Sequence, residues 1–322
     1  MPQVSPSVLI IRLDAIGDAL ALTPAIAALR QRAIPVDVVL RSANEHAFAS
    51  RAVRDVIVAA FELRSNAPAN LREIERLGGE LRGRDYSHVL VATEDAGGYR
   101  LAAAVDAPVR IGFEDVGGKP FKALWSRRFL TQSIYRSARL TAAAEHECET
   151  LFRLVAPLLG QAAPTRDLAL LRPLVLDAQP PPGDRVAVQV TDKWERLGIR
   201  FEEVAELVRR LGCAGELNLI SSRNESRYAQ RLNDATGLAI EYFDDTAEWK
   251  AAIAAAPAIV APDSGALHVA GMVGTPIVAV FPDDSLFAAR VARWAPWAAP
   301  HRVVRALGGW TALAADALAQ LL

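Results

Sequence analysis

The chain has 322 residues, 52% of them hydrophobic and 23% charged, with a formal net charge of −1. That much apolar material fills a sizeable core and excludes a disordered chain, and the length suits two domains. A charge near zero excludes a generally nucleic-acid-binding protein, so any basic surface is local.

The opening MPQVSPS lacks the basic region of a signal peptide, and VLII is cut short by Arg12. No window approaches 18 uninterrupted apolar residues, so no transmembrane helix is expected. Two cysteines, Cys148 and Cys213, form neither a metal motif nor a disulfide framework, which fits a reduced, cytosolic setting. The five histidines, His46, His88, His146, His268 and His301, are scattered without ligand spacing, and no metal is expected.

Short apolar runs alternate with helical patterns along the whole chain. Strands are predicted at 8–13, 36–40 and 88–93, then at 185–190, 216–221, 258–262 and 276–281. Near-continuous apolar strands with intervening helices imply parallel sheets covered on both faces, an α/β class. Between the two series, PTRDLALLRPLVLDAQPPPGD (164–184) holds five prolines, and its PPPG end reads as an interdomain linker. The expected domains are 1–165 and 180–322, each with its own doubly wound sheet. Ligands of such sheets bind beyond the carboxyl ends of the strands, and a cleft between two domains is the natural site. WTALAADALAQLL (310–322) reads as a terminal helix.

Three strand-to-helix turns carry candidate chemistry. The first is LDAIGDA (13–19) after the first strand, with Asp14, Gly17 and Asp18. Asp18 falls in the first turn of a helix, where a carboxylate suits the free N–H groups and the dipole. A carboxylate here also suits proton acceptance from a substrate hydroxyl. The second, VAPDSGALHVAGMVG (260–274), passes from strand to helix through Asp263, Ser264 and Gly265 and carries His268. Small residues at a helix N-terminus make an anion site. It is neither the G-x-G-x-x-G fingerprint nor a P-loop, and GFEDVGGKP (112–120) fails the P-loop spacing. The third, VQVTDKWERLG (188–198), places Lys193 after the first strand of the second series, where a lysine meets a phosphate or simply faces solvent. A further segment, KPFKALWSRRFLTQSIYRSAR (119–139), has six Lys/Arg and no acid. Phe121, Trp125 and Phe129 recur every four residues, so it reads either as an amphipathic helix with a solvated basic face or as a surface for a phosphorylated, lipid-anchored acceptor.

Taken together, Arg12 with IGD (16–18), Lys193-Trp194 and DSGALHVAGMVGTP (263–276) resemble the heptosyltransferase family, glycosyltransferase family 9. RIGF (110–113), HECETLFRLVAPLLG (146–160) and the APW run at 295–297 sit in the family's order. The resemblance implies the GT-B fold, two Rossmann-like domains with parallel sheets facing across a cleft. The N-terminal domain would bind the acceptor and the C-terminal domain the nucleotide-sugar. It implies inverting transfer of heptose from ADP-heptose to a lipopolysaccharide inner-core or related acceptor, with no cofactor. Asp18 is then the catalytic base and Lys193 the electrostatic partner of the leaving diphosphate. Asp263, Ser264, Gly265, His268, Gly17 and Glu225 fall on the donor side, and Asp14, Arg12, Arg127, Arg128 and Arg136 on the acceptor side. The protein would be cytoplasmic, with peripheral contact to the inner membrane face. Val188 and Gln189 stand where some members carry a Thr-Thr pair, and Ser221-Ser222-Arg223 where others have a Trp-Gly turn, which leaves donor base and sugar open. The alternatives are another GT-B nucleotide-sugar transferase or epimerase, and a non-catalytic nucleotide-binding module. The missing dinucleotide fingerprint argues against an oxidoreductase.

Overall fold

The computed structural model describes residues 6–115, 118–137, 141, 143–160 and 163–322. The chain folds as two compact units. The first comprises residues 1–140 and 147–165, the second residues 141–146 and 166–322. The strands of the first unit are β1 (Val8–Ile11), β2 (Val36–Leu40), β3 (Asp55–Val58), β4 (His88–Val91), β5 (Val109–Glu114) and β6 (Gln132–Tyr135). Those of the second are β7 (Val186–Gln189), β8 (Leu217–Ser222), β9 (Ile240–Phe243), β10 (Ile259–Pro262), β11 (Ile277–Pro282) and β12 (His301–Ala306). The sheet orders are β3-β2-β1-β4-β5-β6 and β12-β11-β10-β7-β8-β9, and every pairing is parallel. Both units are therefore doubly wound α/β sheets.

Seven strands coincide with the apolar runs of the sequence. The other five, β3, β5, β6, β9 and β12, carry polar residues such as Arg110, Glu114, Gln132, Glu241, Arg302 and Arg305. Four of them are sheet edges, where one flank meets solvent and a continuous apolar run is unnecessary. The central strands are fully buried: Val8, Leu9, Ile10 and Ile11 have no exposure, nor do Ile259, Val260 and Ala261.

Two expectations are corrected. The expected linker PPPG lies inside the second unit, which takes in the chain from residue 166 onward. A short helix, Leu168–Leu171, packs on the helix Gly265–Val273, and the Arg172 Nε donates to the Val273 carbonyl (2.6 Å), so 166–184 belongs to the second unit. The basic segment is not one helix either. Its helix runs Pro120–Ser126 and the chain then turns into β6. Trp125 and Phe129 pack against each other (4.6 Å) on the core, whereas Phe121 stands 89% exposed, so the aromatic stripe is split. Ala138 and Arg139 of that segment lie outside the described residues.

At the amino end of β2, Asp37 is a fully buried carboxylate. Arg54 grips it through Nε (2.8 Å) and Nη2 (2.7 Å), Arg84 Nη1 lies at 3.3 Å, and the Tyr86 hydroxyl donates to it. Burial pushes its pKa up, but the hydrogen bonds from Arg54, Tyr86 and Arg84 outweigh this and hold it below the ordinary carboxylate value. In the second unit, the helix Gly265–Val273 is seated by Gly271, where a Cβ would lie 2.9 Å from the Trp297 backbone nitrogen.

Asp37→Asn leaves two cations facing a neutral amide, and we expect a loss of about 2–4 kcal/mol in urea unfolding at pH 7. A carboxyl with a lowered folded pKa contributes stability that is present above its unfolded value and lost as pH falls, so the variant's deficit should shrink below about pH 4. Gly271→Ala forces a backbone shift and should cost about 1–3 kcal/mol in the same assay.

Candidate active site

In a doubly wound sheet the chain reverses direction at one crevice, and ligands bind at the carboxyl ends of the two strands that flank it. In the first unit those strands are β1 and β4, and in the second β7 and β10. All three turns singled out in the sequence leave these strands at that edge.

After β1 the chain runs through Arg12 to the helix Ile16–Leu20, which holds Gly17, buried, and Asp18. One Asp18 oxygen accepts from the Ala15 N–H (3.1 Å), and the other from Arg12 Nη2 (3.0 Å). Asp18 thus caps its helix and forms an ion pair at once, and its side chain is still 26% exposed. The Arg12 side chain is only 3% exposed. Its Nη2 also donates to Glu147 Oε1 (3.2 Å), its Nη1 to the Ala92 carbonyl beyond β4, and its Nε lies 3.5 Å from Asp14. Burial alone would lower the Arg12 pKa, but Asp18, Glu147 and Asp14 raise it, so it stays a guanidinium. Glu147 is fully buried and also accepts from Arg136 Nη2 through both oxygens (3.0 and 2.9 Å). Its burial holds it above the ordinary carboxylate range against the pull of Arg136 and Arg12.

In the second unit, Lys193 starts the short helix Lys193–Arg196 after β7. Among the described residues its ammonium makes no hydrogen bond or ion pair. The Thr191 hydroxyl accepts from the Lys193 N–H (3.1 Å) and donates to Glu225 Oε1 (2.9 Å), which ties the β7 turn to the turn after β8. The other Glu225 oxygen is buried without a hydrogen-bond partner among the described residues. Burial raises the Glu225 pKa, with Asp192 adding to it and Thr191 opposing. After β10 come Asp263 and Ser264, then the nine-residue helix Gly265–Val273, buried almost throughout. Ser264 occupies the N-cap position, yet its hydroxyl caps nothing and is buried without a hydrogen-bond partner among the described residues. A serine placed there normally satisfies a first-turn N–H, so the hydroxyl is left for something else. His268 is buried one turn further on, edge-on to Trp294 (5.6 Å).

The structure thus gathers Asp14, Gly17 and Asp18 at one edge, and Lys193, Glu225, Asp263, Ser264, Gly265 and His268 at the other. The acceptor-side arginines sit in different surroundings. Arg12 and Arg136 are buried inside the carboxylate network and cannot reach a ligand without leaving it. Arg127 is exposed but paired with Glu114 (Nη2 to Oε1, 2.8 Å), and Arg128 is exposed on the turn that follows the helix Pro120–Ser126. Lys119 and Lys122 meet Glu94 (2.9 and 3.4 Å), so the acids absent from that segment arrive from β4 and β5. Glu147 and Thr191 were missed. Nothing local marks Glu147, 135 residues from Arg12, whereas Thr191 could have been found as the polar residue ending an apolar strand two positions before Lys193. Among the described residues no group of three or more His, Cys, Asp or Glu has metal-binding geometry, and no helix is long and apolar enough to cross a membrane.

Residues 197–312 match glycosyltransferase family 9 (heptosyltransferase). No curated protein sequence matches the chain. Among solved structures, the family 9 glycosyl transferase from Veillonella parvula superposes with a TM-score of 0.75 at 14% identity, covering 100% of this chain and 98% of its own. The heptosyltransferase WaaC from E. coli, solved with ADP, gives 0.69 at 20% identity, and the E. coli ADP-heptose lps heptosyltransferase II gives 0.70 at 15%. Both of these cover 98% of either chain. Identities this low establish the fold and no more. The comparisons thus give a family 9 heptosyltransferase match over residues 197–312 and a fold shared with these structures along the whole chain.

Proposed function

We propose that the protein is an inverting glycosyltransferase that moves heptose from ADP-heptose to a lipopolysaccharide inner-core or related acceptor. The observation that carries this reading is the composition of the β7/β10 crevice. Among the described residues, an ammonium without a partner at Lys193 and an N-cap Ser264 whose buried hydroxyl caps nothing lie at neighbouring carboxyl ends, before a helix whose dipole favours anions. A nucleoside diphosphate supplies the charge those groups lack. The matched solved structures include WaaC with ADP and with ADP-2-deoxy-2-fluoro heptose, which supports an adenine nucleotide as donor.

In this reading Glu225, whose second oxygen lacks a partner among the described residues, accepts from a donor hydroxyl, and Asp263 and His268 line the diphosphate side. The acceptor hydroxyl attacks the anomeric carbon and the diphosphate leaves from the opposite face. Asp18 takes the hydroxyl proton on a lone pair not used by Arg12 or Ala15. Charge growing on the leaving phosphate is met by Lys193 and the N–H groups that open the helix at Gly265. Those groups do the electrostatic work, so no metal cofactor is assigned. The first unit takes the acceptor, with half-exposed Asp14 and exposed Arg128 nearest to it in role. The exposed Phe121 and Leu124 beside Lys119, Lys122 and Arg128 suit contact with an anionic membrane face from the cytoplasmic side.

Asp18→Asn should lower kcat by about 10²–10⁴ while ADP binding by calorimetry stays within twofold, since only the proton transfer is removed. Unchanged turnover would take Asp18 out of the role. Lys193→Ala should weaken ADP binding by about 10–100-fold, the worth of one charge-assisted contact, and EDTA should leave turnover unaltered. Preference for UDP or GDP over ADP in the same titration would reassign the donor.

A further inference from the structure

Arg12 next to Asp18 poses a problem that the fold has to solve. An arginine beside a carboxylate tends to close a two-pronged pair, two parallel N–H bonds to the two oxygens. Such a pair would occupy both oxygens of Asp18 and leave it a poor proton acceptor. The observed geometry avoids this by dividing the fork. Nη1 goes to the Ala92 carbonyl, Nε faces Asp14 at 3.5 Å, and Nη2 is shared between Asp18 Oδ1 (3.0 Å) and Glu147 Oε1 (3.2 Å). Asp18 receives a single N–H from Arg12, and its other oxygen is pinned by the Ala15 N–H.

We propose that Glu147 is a positioning residue for Asp18: by claiming half of Arg12 Nη2, it holds Arg12 to one contact with Asp18 and keeps that carboxylate open and singly oriented. The proposal rests on the reading of Asp18 as the proton acceptor. Two further features support it. Glu147 is wholly buried and opens the helix Glu147–Phe152, whose Leu151 and Phe152 are core residues, so its position is set by packing. Arg136, 5.2 Å over the Phe113 ring, is bound to both Glu147 oxygens and supplies the second cation that a buried carboxylate between two networks needs. Acid and base are thus arranged in a line, Arg136 to Glu147 to Arg12 to Asp18, and the last member is the only one of the four with substantial exposure.

The test uses Glu147→Gln, which keeps shape and acceptor capacity on one oxygen, and Glu147→Ala, which vacates the position. With ADP-heptose and an inner-core acceptor, Glu147→Gln should lower kcat by about 10–100-fold, the cost of a misplaced catalytic group, while KM for ADP-heptose moves less than twofold. In an Asp18→Asn background the same substitution should change kcat by less than about twofold, because the group it positions is gone. Equal losses in both backgrounds would overturn the proposal, since Glu147 would then act independently of Asp18. Crystal structures supply a readout that needs no substrate. In Glu147→Ala, Arg12 should close a two-pronged pair on Asp18, and an Asp18 carboxylate that keeps its orientation and single contact would overturn the proposal as well. If Asp18→Asn itself keeps full turnover, the assignment of the base fails, and the crystallographic outcome still decides whether Glu147 orients Asp18.

Discussion

Every strand in both sheets runs parallel to its neighbours, and that constraint organises the rest of the molecule. Parallel strands deliver all their outgoing turns to one edge, and the reversal of winding opens a crevice there between two particular strands. Polar residues placed directly after β1, β7 and β10 are brought to those crevices without further instruction. The strands themselves are covered on both faces, so they are free to be wholly apolar, and the chemistry is confined to the residues immediately beyond them.

The two edges then solve different electrostatic problems. Around Asp18 in the first unit, carboxylates and guanidiniums are buried together, and Arg12, Arg136 and Glu147 each have an opposite charge within hydrogen-bond reach. Only Asp18 and Asp14 keep appreciable exposure. In the second, the polar groups are incomplete among the described residues, with an ammonium that has no partner, a hydroxyl that caps nothing and a carboxylate oxygen without a donor. A saturated network holds a group in place, and an unsaturated one waits for a ligand. That contrast is the physical basis for proposing proton transfer in one unit and diphosphate binding in the other.

Much of this was legible beforehand because it is local. The apolar runs at 8–13, 36–40 and 258–262 mark buried strands by composition alone, and the turn residues Asp18, Lys193 and Asp263 follow them within a few positions. The edge strands β3, β6, β9 and β12 were illegible because solvent on one flank removes the need for an apolar run. The single helix expected over 119–139 fails for a different reason. Its aromatic spacing fits a helix, but the chain must reach the edge of β5 to pair, and that register ends the helix at Ser126.

What the sequence by itself determined is the class of fold, the two-unit layout and the identity of the residues that leave each central strand, since periodicity and turn chemistry act over a few residues. What only the tertiary structure decided is which charges meet. Glu147 reaches Arg12 across 135 positions, Glu94 neutralises Lys119 and Lys122, and Thr191 joins Lys193 to Glu225. Electrostatic pairing depends on distance in space, and distance in space is set by how the sheets wind.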